Sequence, residues 1–300
     1  ESKDLEMKKI FCITCHKISN ALSITVEYLS SFSENTILIH VDKKSKIEGF
    51  YNLLHFNKDN VVFIPDRIDV TWGTYSQIQA SLNLFNKALE YDFDYLFLLS
   101  GDDIPCISNE QINVQLNTIG FYNLIHYQDG RNSFVDPISR VKYVYPDFFF
   151  LRNIGIKHRL YKRLFFLLKF LFVSKSFKRN GDKIDGYFKG TNWFGLNRET
   201  TIAMMLFINN NEWYRELYYK SCCADEVIFH TAIKHLGRED IFHDENYIND
   251  ALRYIDWVSG PEYPKILNEE DVDKIKKSNC IFARKFPHDI ASELFYKIIE

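Results

Sequence analysis

The chain has no uninterrupted apolar run of about 18 residues, so no segment is long enough to span a bilayer as a helix. No secretory signal is visible either, although a start at Glu1-Ser2-Lys3 without Met leaves open a preceding segment. An excess of positive charge is also missing: 37 Lys and Arg stand against 40 Asp and Glu, which argues against nucleic acid as a partner. Neither a G-x-G-x-x-G nor a P-loop occurs, so dinucleotide and Walker-type binding are unsupported. Cys12-x-x-Cys15 has no second C-x-x-C to complete a zinc site, and a strand there would point its thiols to opposite faces. The six cysteines are therefore expected as free, mostly buried thiols. Repeats, low-complexity tracts and linkers are lacking, which favours one domain over residues 1–300.

What is present is an ordinary globular composition, 46% hydrophobic and 26% charged, with enough chain for one large core. Aromatic residues reach 16%, which suits a thick core and stacking platforms for flat ligands. The first half alternates. "KKIFCITCH" (8–16), "NTILIHVD" (35–42), "NVVFIPD" (60–66) and "FDYLFLLSGDD" (93–103) have the character of strands buried on both faces. Helical patterns fall at 19–32, 45–57 and 74–91, the last with Ile78, Leu82, Phe85 and Leu89 at helical spacing. That order predicts an α/β fold with a mostly parallel sheet, whose ligands bind beyond the carboxyl ends of the strands. Those ends carry His16-Lys17, His40-x-Asp42, Asp66-Arg67 and Gly101-Asp102-Asp103, a polar edge suited to a nucleotide-type ligand.

The second half is less regular. "YFKGTNWFGLNRETTIAMMLFI" (187–208) suggests a turn, a strand and a helix. In "SCCADEVIFHTAI" (221–233), two carboxylates precede a buried helical run. Asp225 suits a helix N-cap and Glu226 the positive end of the macrodipole; the same pair could instead be catalytic.

Six stretches occur in the order and spacing of a known family: "IHVDKKS" (39–45), "VTWGTYSQIQASLNLFNKALEYDFDYLFLLSGDDIP" (70–105), "GTNWFGLNR" (190–198), "ADEVIFHTAI" (224–233), "LRYIDW" (252–257) and "FARKF" (282–286). With these the chain resembles the core-2/I-branching enzymes, β-1,6-N-acetylglucosaminyltransferases grouped with peptide O-xylosyltransferases and bacterial relatives. The resemblance implies a GT-A-like fold with a Rossmann-like sheet, divided into a nucleotide-binding half (8–105) and an acceptor and catalytic half (106–300). It also implies inverting transfer from a UDP-sugar, with N-acetylglucosamine the expected sugar and a glycan or lipid-linked oligosaccharide the acceptor.

The resemblance assigns Asp42 to the uridine and Trp72, Gly73 and Ser76 to the donor wall, with Arg67, Val70 and Asp103 on the same side. Arg253, Arg284 and Lys285 would hold the diphosphate. Glu226 would be the base, Asp225 a cap and orienter on the acceptor side, and Trp193 an acceptor neighbour. Inverting displacement needs one aimed base, and the leaving diphosphate needs fixed cations. Gly101-Asp102-Asp103 lacks the Asp-x-Asp spacing, and the resemblance implies catalysis without metal, with basic side chains supplying the charge, so no metal or other cofactor is expected.

The competing readings are a UDP-xylose-dependent transferase, a hydrolase using Glu226 and an Asp, and a non-catalytic carbohydrate- or nucleotide-sugar-binding protein. Animal members of the family it resembles carry an N-terminal membrane anchor and lumenal disulfides, whereas this sequence is shorter, shows no anchor and is rich in Lys, Ile, Asn and Phe, so a bacterial cytoplasmic enzyme building a surface polysaccharide is expected. "IKHRLYKRLFFLLKFLFVSKSFKR" (156–179) combines many Lys and Arg with Leu and Phe. It suits either an interfacial helix at the inner face of a membrane or a helix buried against the domain.

Overall fold

The computed structural model describes residues 7–53, 58–151 and 155–300. The first half runs β1 (Lys9–Cys15), α1 (Asn20–Ser30), β2 (Asn35–Val41), α2 (Ile47–Leu53), β3 (Val61–Phe63), α3 (Tyr75–Ala88), β4 (Tyr95–Ser100), β5 (Ile104–Pro105) and α4 (Asn109–Thr118). Every expected strand and helix of this half forms; the end of the 45–57 helix lies outside the described residues. Short helices α5 (Pro137–Val141), α6 (Ile156–Leu168) and α7 (Lys175–Asn180) follow. The chain continues through β6 (Gly195–Asn197), α8 (Arg198–Asn210), α9 (Glu212–Glu216), α10 (Asp225–His235), β7 (Arg253–Ile255), α11 (Val272–Lys277), β8 (Phe282–Arg284) and α12 (Ser292–Ile299).

The main sheet has the order β3-β2-β1-β4-β6, parallel except for β6, which pairs antiparallel with β4. Its strands are buried on both faces because both faces are apolar. Ile10, Cys12, Leu38, Leu96 and Leu98 join Ile78, Leu82 and Phe85 of α3 in one core. Phe11, Ile13, Ile37, Ile39, Phe97 and Leu99 join Leu22, Val26 and Leu29 of α1 in the other. Cys12 and Cys15 accordingly fall in different cores, and all six cysteines are free thiols. The order 3-2-1-4 reverses between β1 and β4, so the ligand crevice of such a sheet lies beyond the ends of these strands. A second sheet, β5-β8-β7, brings residues 282–284 against residues 104–105, so both expected halves contribute to each sheet.

Among the described residues no helix is long and apolar enough to cross a membrane. In α6 only His158 and Phe165 are buried, so the expectation of a helix buried against the domain does not fit. The helix rests on one narrow side.

Candidate active site

At the sheet edge Asp42 is buried, and its Oδ1 accepts from the Lys44 backbone N–H at 2.9 Å and that of Val70 at 3.5 Å. Lys44 Nζ donates to the Val70 carbonyl at 2.6 Å, closing a small ring around the carboxylate. Arg67 directs its guanidinium inward, onto the carbonyls of Val41, Asp42 and Ser45 at 3.0, 2.8 and 2.5 Å. Its charge shapes the loop end of β2.

The loop before α3 carries Trp72, which is 55% exposed, and Ser76, whose Oγ accepts from the Thr71 N–H at 2.8 Å. Gly73 has φ +80, and a Cβ there would lie 3.1 Å from Cys223 Sγ and 3.3 Å from the Phe150 ring. Both facts call for glycine. The Gly73 carbonyl accepts from the Cys223 N–H at 2.7 Å, tying this loop to the turn that launches α10.

Asp225 is not the N-cap. Ala224 occupies that position with φ −94 and ψ 5 and no side-chain capping bond, and Asp225 is the first helical residue. An N-cap needs extended backbone, which this tight turn denies, so the carboxylate is drawn into the first turn. Burial, and then the charge of Glu226, push its pKa up to about 7. Glu226 keeps about a third of its side chain exposed, and its Oε2 stands 3.1 Å from Lys189 Nζ. The Gly190 N–H donates to the Glu226 carbonyl at 3.0 Å. Gly190 is forced: a Cβ would come within 1.7 Å of the His126 carbonyl oxygen and 2.4 Å of His230 Nε2. Backbone thus closes on backbone where Lys189 meets Glu226.

Asp103, 1% exposed, accepts from Ser100 N–H at 2.9 Å and Ser100 Oγ–H at 2.8 Å. Arg284 Nε lies 3.4 Å from its Oδ1, and the Arg284 guanidinium sits 4.4 Å above the Trp193 ring. Lys285 and His288 approach Asp102 at 3.8 and 4.0 Å. His16 belongs to the same field: burial and Lys17 hold its pKa down, against Asp102 and Asp42.

The expectation that Arg253 holds a diphosphate is corrected. Its side chain is buried, donating to the Leu98 and Phe194 carbonyls at 3.0 and 3.3 Å and lying 3.8 Å from Asp103. Burial lowers its pKa to about 10. Arg253 braces Asp103 from inside; Arg284 and the half-exposed Lys285 are the cations at the edge.

Among the described residues one trio, His126, Asp129 and Asp250, has donor atoms within 4.8 Å of one another. Arg131 Nη2 stands 2.6 Å from Asp129 and 2.8 Å from Asp250, where a cation would sit. Of two clefts, the first, of about 470 Å³, includes Asp94, at the opposite end of β4, and the second, of about 430 Å³, is lined by Asp129 and Asp250 of this trio; Glu226, Asp103 and Arg284 line neither.

The family model described as Core-2/I-Branching enzyme matches residues 11–276. The chain belongs to the core-2/I-branching enzyme family. This branching-family chain is 24% identical over 288 residues to the β-glucuronosyltransferase GlcAT14B of Arabidopsis thaliana, covering 88% of the chain but only 60% of that protein. Solved structures overlap it slightly. They include S. aureus TarS 1–349 (14% identity, 49% of this chain and 43% of that one, TM-score 0.30) and mannose-1-phosphate geranyltransferase from Thermus thermophilus (14%, 74% and 71%, 0.33). Likeness at that level carries no functional argument.

Two site residues of the branching-family chain escape the sequence reading. Lys189 directly precedes the "GTNWFGLNR" stretch, and its only signal is a cation next to a glycine. His288 pairs with Asp102 only because β8 returns to β5.

Proposed function

We propose that the chain is an inverting glycosyltransferase that moves a sugar from a UDP-sugar to a hydroxyl of a glycan or lipid-linked oligosaccharide. One observation carries this reading: an accessible carboxylate, Glu226, is held by Lys189 in the segment whose Trp193 lies under Arg284. A base and a cationic edge are thus joined through one stretch of five residues. Glu226 would take the acceptor proton as the acceptor oxygen bonds to the anomeric carbon, while the bond from that carbon to the phosphate oxygen breaks. UDP leaves with the electron pair, and Arg284 and Lys285 meet the charge that grows on it.

Asp42 and the loop through Val70, Trp72, Gly73 and Ser76 form the donor wall, with Arg67 and Arg253 shaping it from behind. Both oxygens of Asp103 already accept from Ser100, and Asp102 faces Lys285 and His288, which supports catalysis without a divalent ion. A hydrolase would need no diphosphate clamp. N-acetylglucosamine is the sugar proposed; xylose and, because the Arabidopsis relative is a β-glucuronosyltransferase, glucuronate are the donors to set against it.

The test has two parts. UDP, and not free sugars, should raise the melting temperature, and a donor panel should single out UDP-GlcNAc. Glu226→Gln should keep UDP binding while turnover drops roughly 10²–10⁴-fold, because only the proton acceptor is lost. Near-normal turnover in that variant would remove Glu226 as the base, and UDP binding without any turnover in the wild type would favour the binding-protein reading.

A further inference from the structure

Residues 156–179 hold eight Lys and Arg and no Asp or Glu, in a chain whose net charge is −3. Within this strongly basic stretch, α6 and the turn after it expose a row of large apolar side chains. Ile156, Leu160, Leu164, Leu167 and Leu171 recur at intervals of three and four and are 86%, 62%, 49%, 75% and 66% exposed, with Phe170 beside them at 65%. Helical spacing places such residues along one face. The opposite side is anchored, with Phe165 against Tyr145 and Phe149 and His158 against Phe148. Lys157, Arg159 and Arg163 flank the exposed row in solvent, while Lys162 and Lys169 lie over the rings of Phe149 and Tyr143. The helix is therefore held at a fixed rotation with its apolar row outward.

We infer that this face docks on an anionic lipid surface, with the Leu/Phe row entering the acyl boundary and the Lys and Arg meeting the headgroups. Charge decides between occupants. A second copy meeting the same face would set eight cations against eight, whereas an anionic bilayer answers both the apolar row and its basic flanks. Position adds a consequence. Phe165 shares a cluster with Tyr145 and Cys222, and Phe149, Phe150 and Cys223 pack against that cluster. Cys222 and Cys223 immediately precede the Ala224-Asp225-Glu226 turn, and the Phe150 ring faces Gly73. Docking would thus hold the candidate active site beside the membrane, where a lipid-linked acceptor lies; that consequence alone rests on the proposed function.

Flotation of the 300-residue chain with vesicles of phosphatidylcholine alone, or with about 30% phosphatidylglycerol, tests the contact without any turnover step. The chain should float with the anionic vesicles only, and at about 0.5 M salt the bound fraction should fall several-fold. Leu164→Ser with Leu167→Ser, and separately Arg159→Glu with Arg163→Glu, should each abolish flotation, with an unchanged melting temperature and unchanged UDP binding. These side chains are exposed, so both variants should fold. Absence of flotation with anionic vesicles overturns the inference, as does flotation that survives both double variants. A dimer in solution that the Leu variant dissociates would give the face to a second copy instead.

Discussion

Lys189 Nζ and Glu226 Oε2 stand 3.1 Å apart, and the Gly190 N–H donates to the Glu226 carbonyl, so one peptide segment grips the helix-borne carboxylate by both side chain and backbone. A base aimed by two contacts loses precision when one is removed. Lys189→Ala should lower kcat roughly tenfold or more while UDP binding stays within about twofold. Equal losses in both would place Lys189 in the donor site instead.

The cations at the site divide by exposure. Arg284→Ala or Lys285→Ala should weaken UDP roughly tenfold and UMP much less, since a charged hydrogen bond to the outer phosphate is removed. Arg253→Ala should act differently. Asp103 keeps Arg284 and Ser100, but the Leu98 and Phe194 carbonyls lose their buried donor, so the change should cost about 1–3 kcal/mol of stability in a denaturant titration. A folded Arg253→Ala protein of normal stability that has lost only UDP affinity would restore the phosphate role.

Asp225 couples stability to pH. Its folded pKa of about 7 lies above the ordinary 3.8, so the native state keeps the proton longer than the unfolded chain. Its stabilising effect is therefore full below the unfolded value and is lost as pH rises from about 3.8 to about 7. Relative to Asp225→Asn, the wild-type melting temperature should fall across that window. Parallel curves for the two proteins would mean that Asp225 ionises freely.

Metal is the remaining test of the charge arrangement. Turnover should survive excess EDTA, and Mn²⁺ should stimulate it little, if the proposed clamp of Arg284 and Lys285 meets the charge of the leaving diphosphate. Complete loss in EDTA with rescue by Mn²⁺ would make Asp102 and Asp103 ligands and the cations auxiliary.

The sheet was legible in the sequence because strands buried on both faces must be apolar throughout, and the helices between them announce themselves by their period. The polar strand ends, Asp42 and Asp102-Asp103, could be placed at one edge by the same logic, and the motif order pointed to the family. Tertiary structure decided what depends on contacts between distant segments. Nothing local in "LRYIDW" says that Arg253 is buried behind Asp103, since an arginine is usually found in solvent and only the packing of β7 against β8 puts it inside. Lys189 meets Glu226 across 37 residues of sequence because Gly190 next to it fits between the His126 carbonyl and the His230 ring and donates its N–H to the Glu226 carbonyl. The capping geometry at Asp225 was likewise settled by the turn at Cys223, tied to Gly73 on another element. Local pattern determines which residues are apolar, helical or extended; which charge faces water and which is enclosed is determined only when the segments pack.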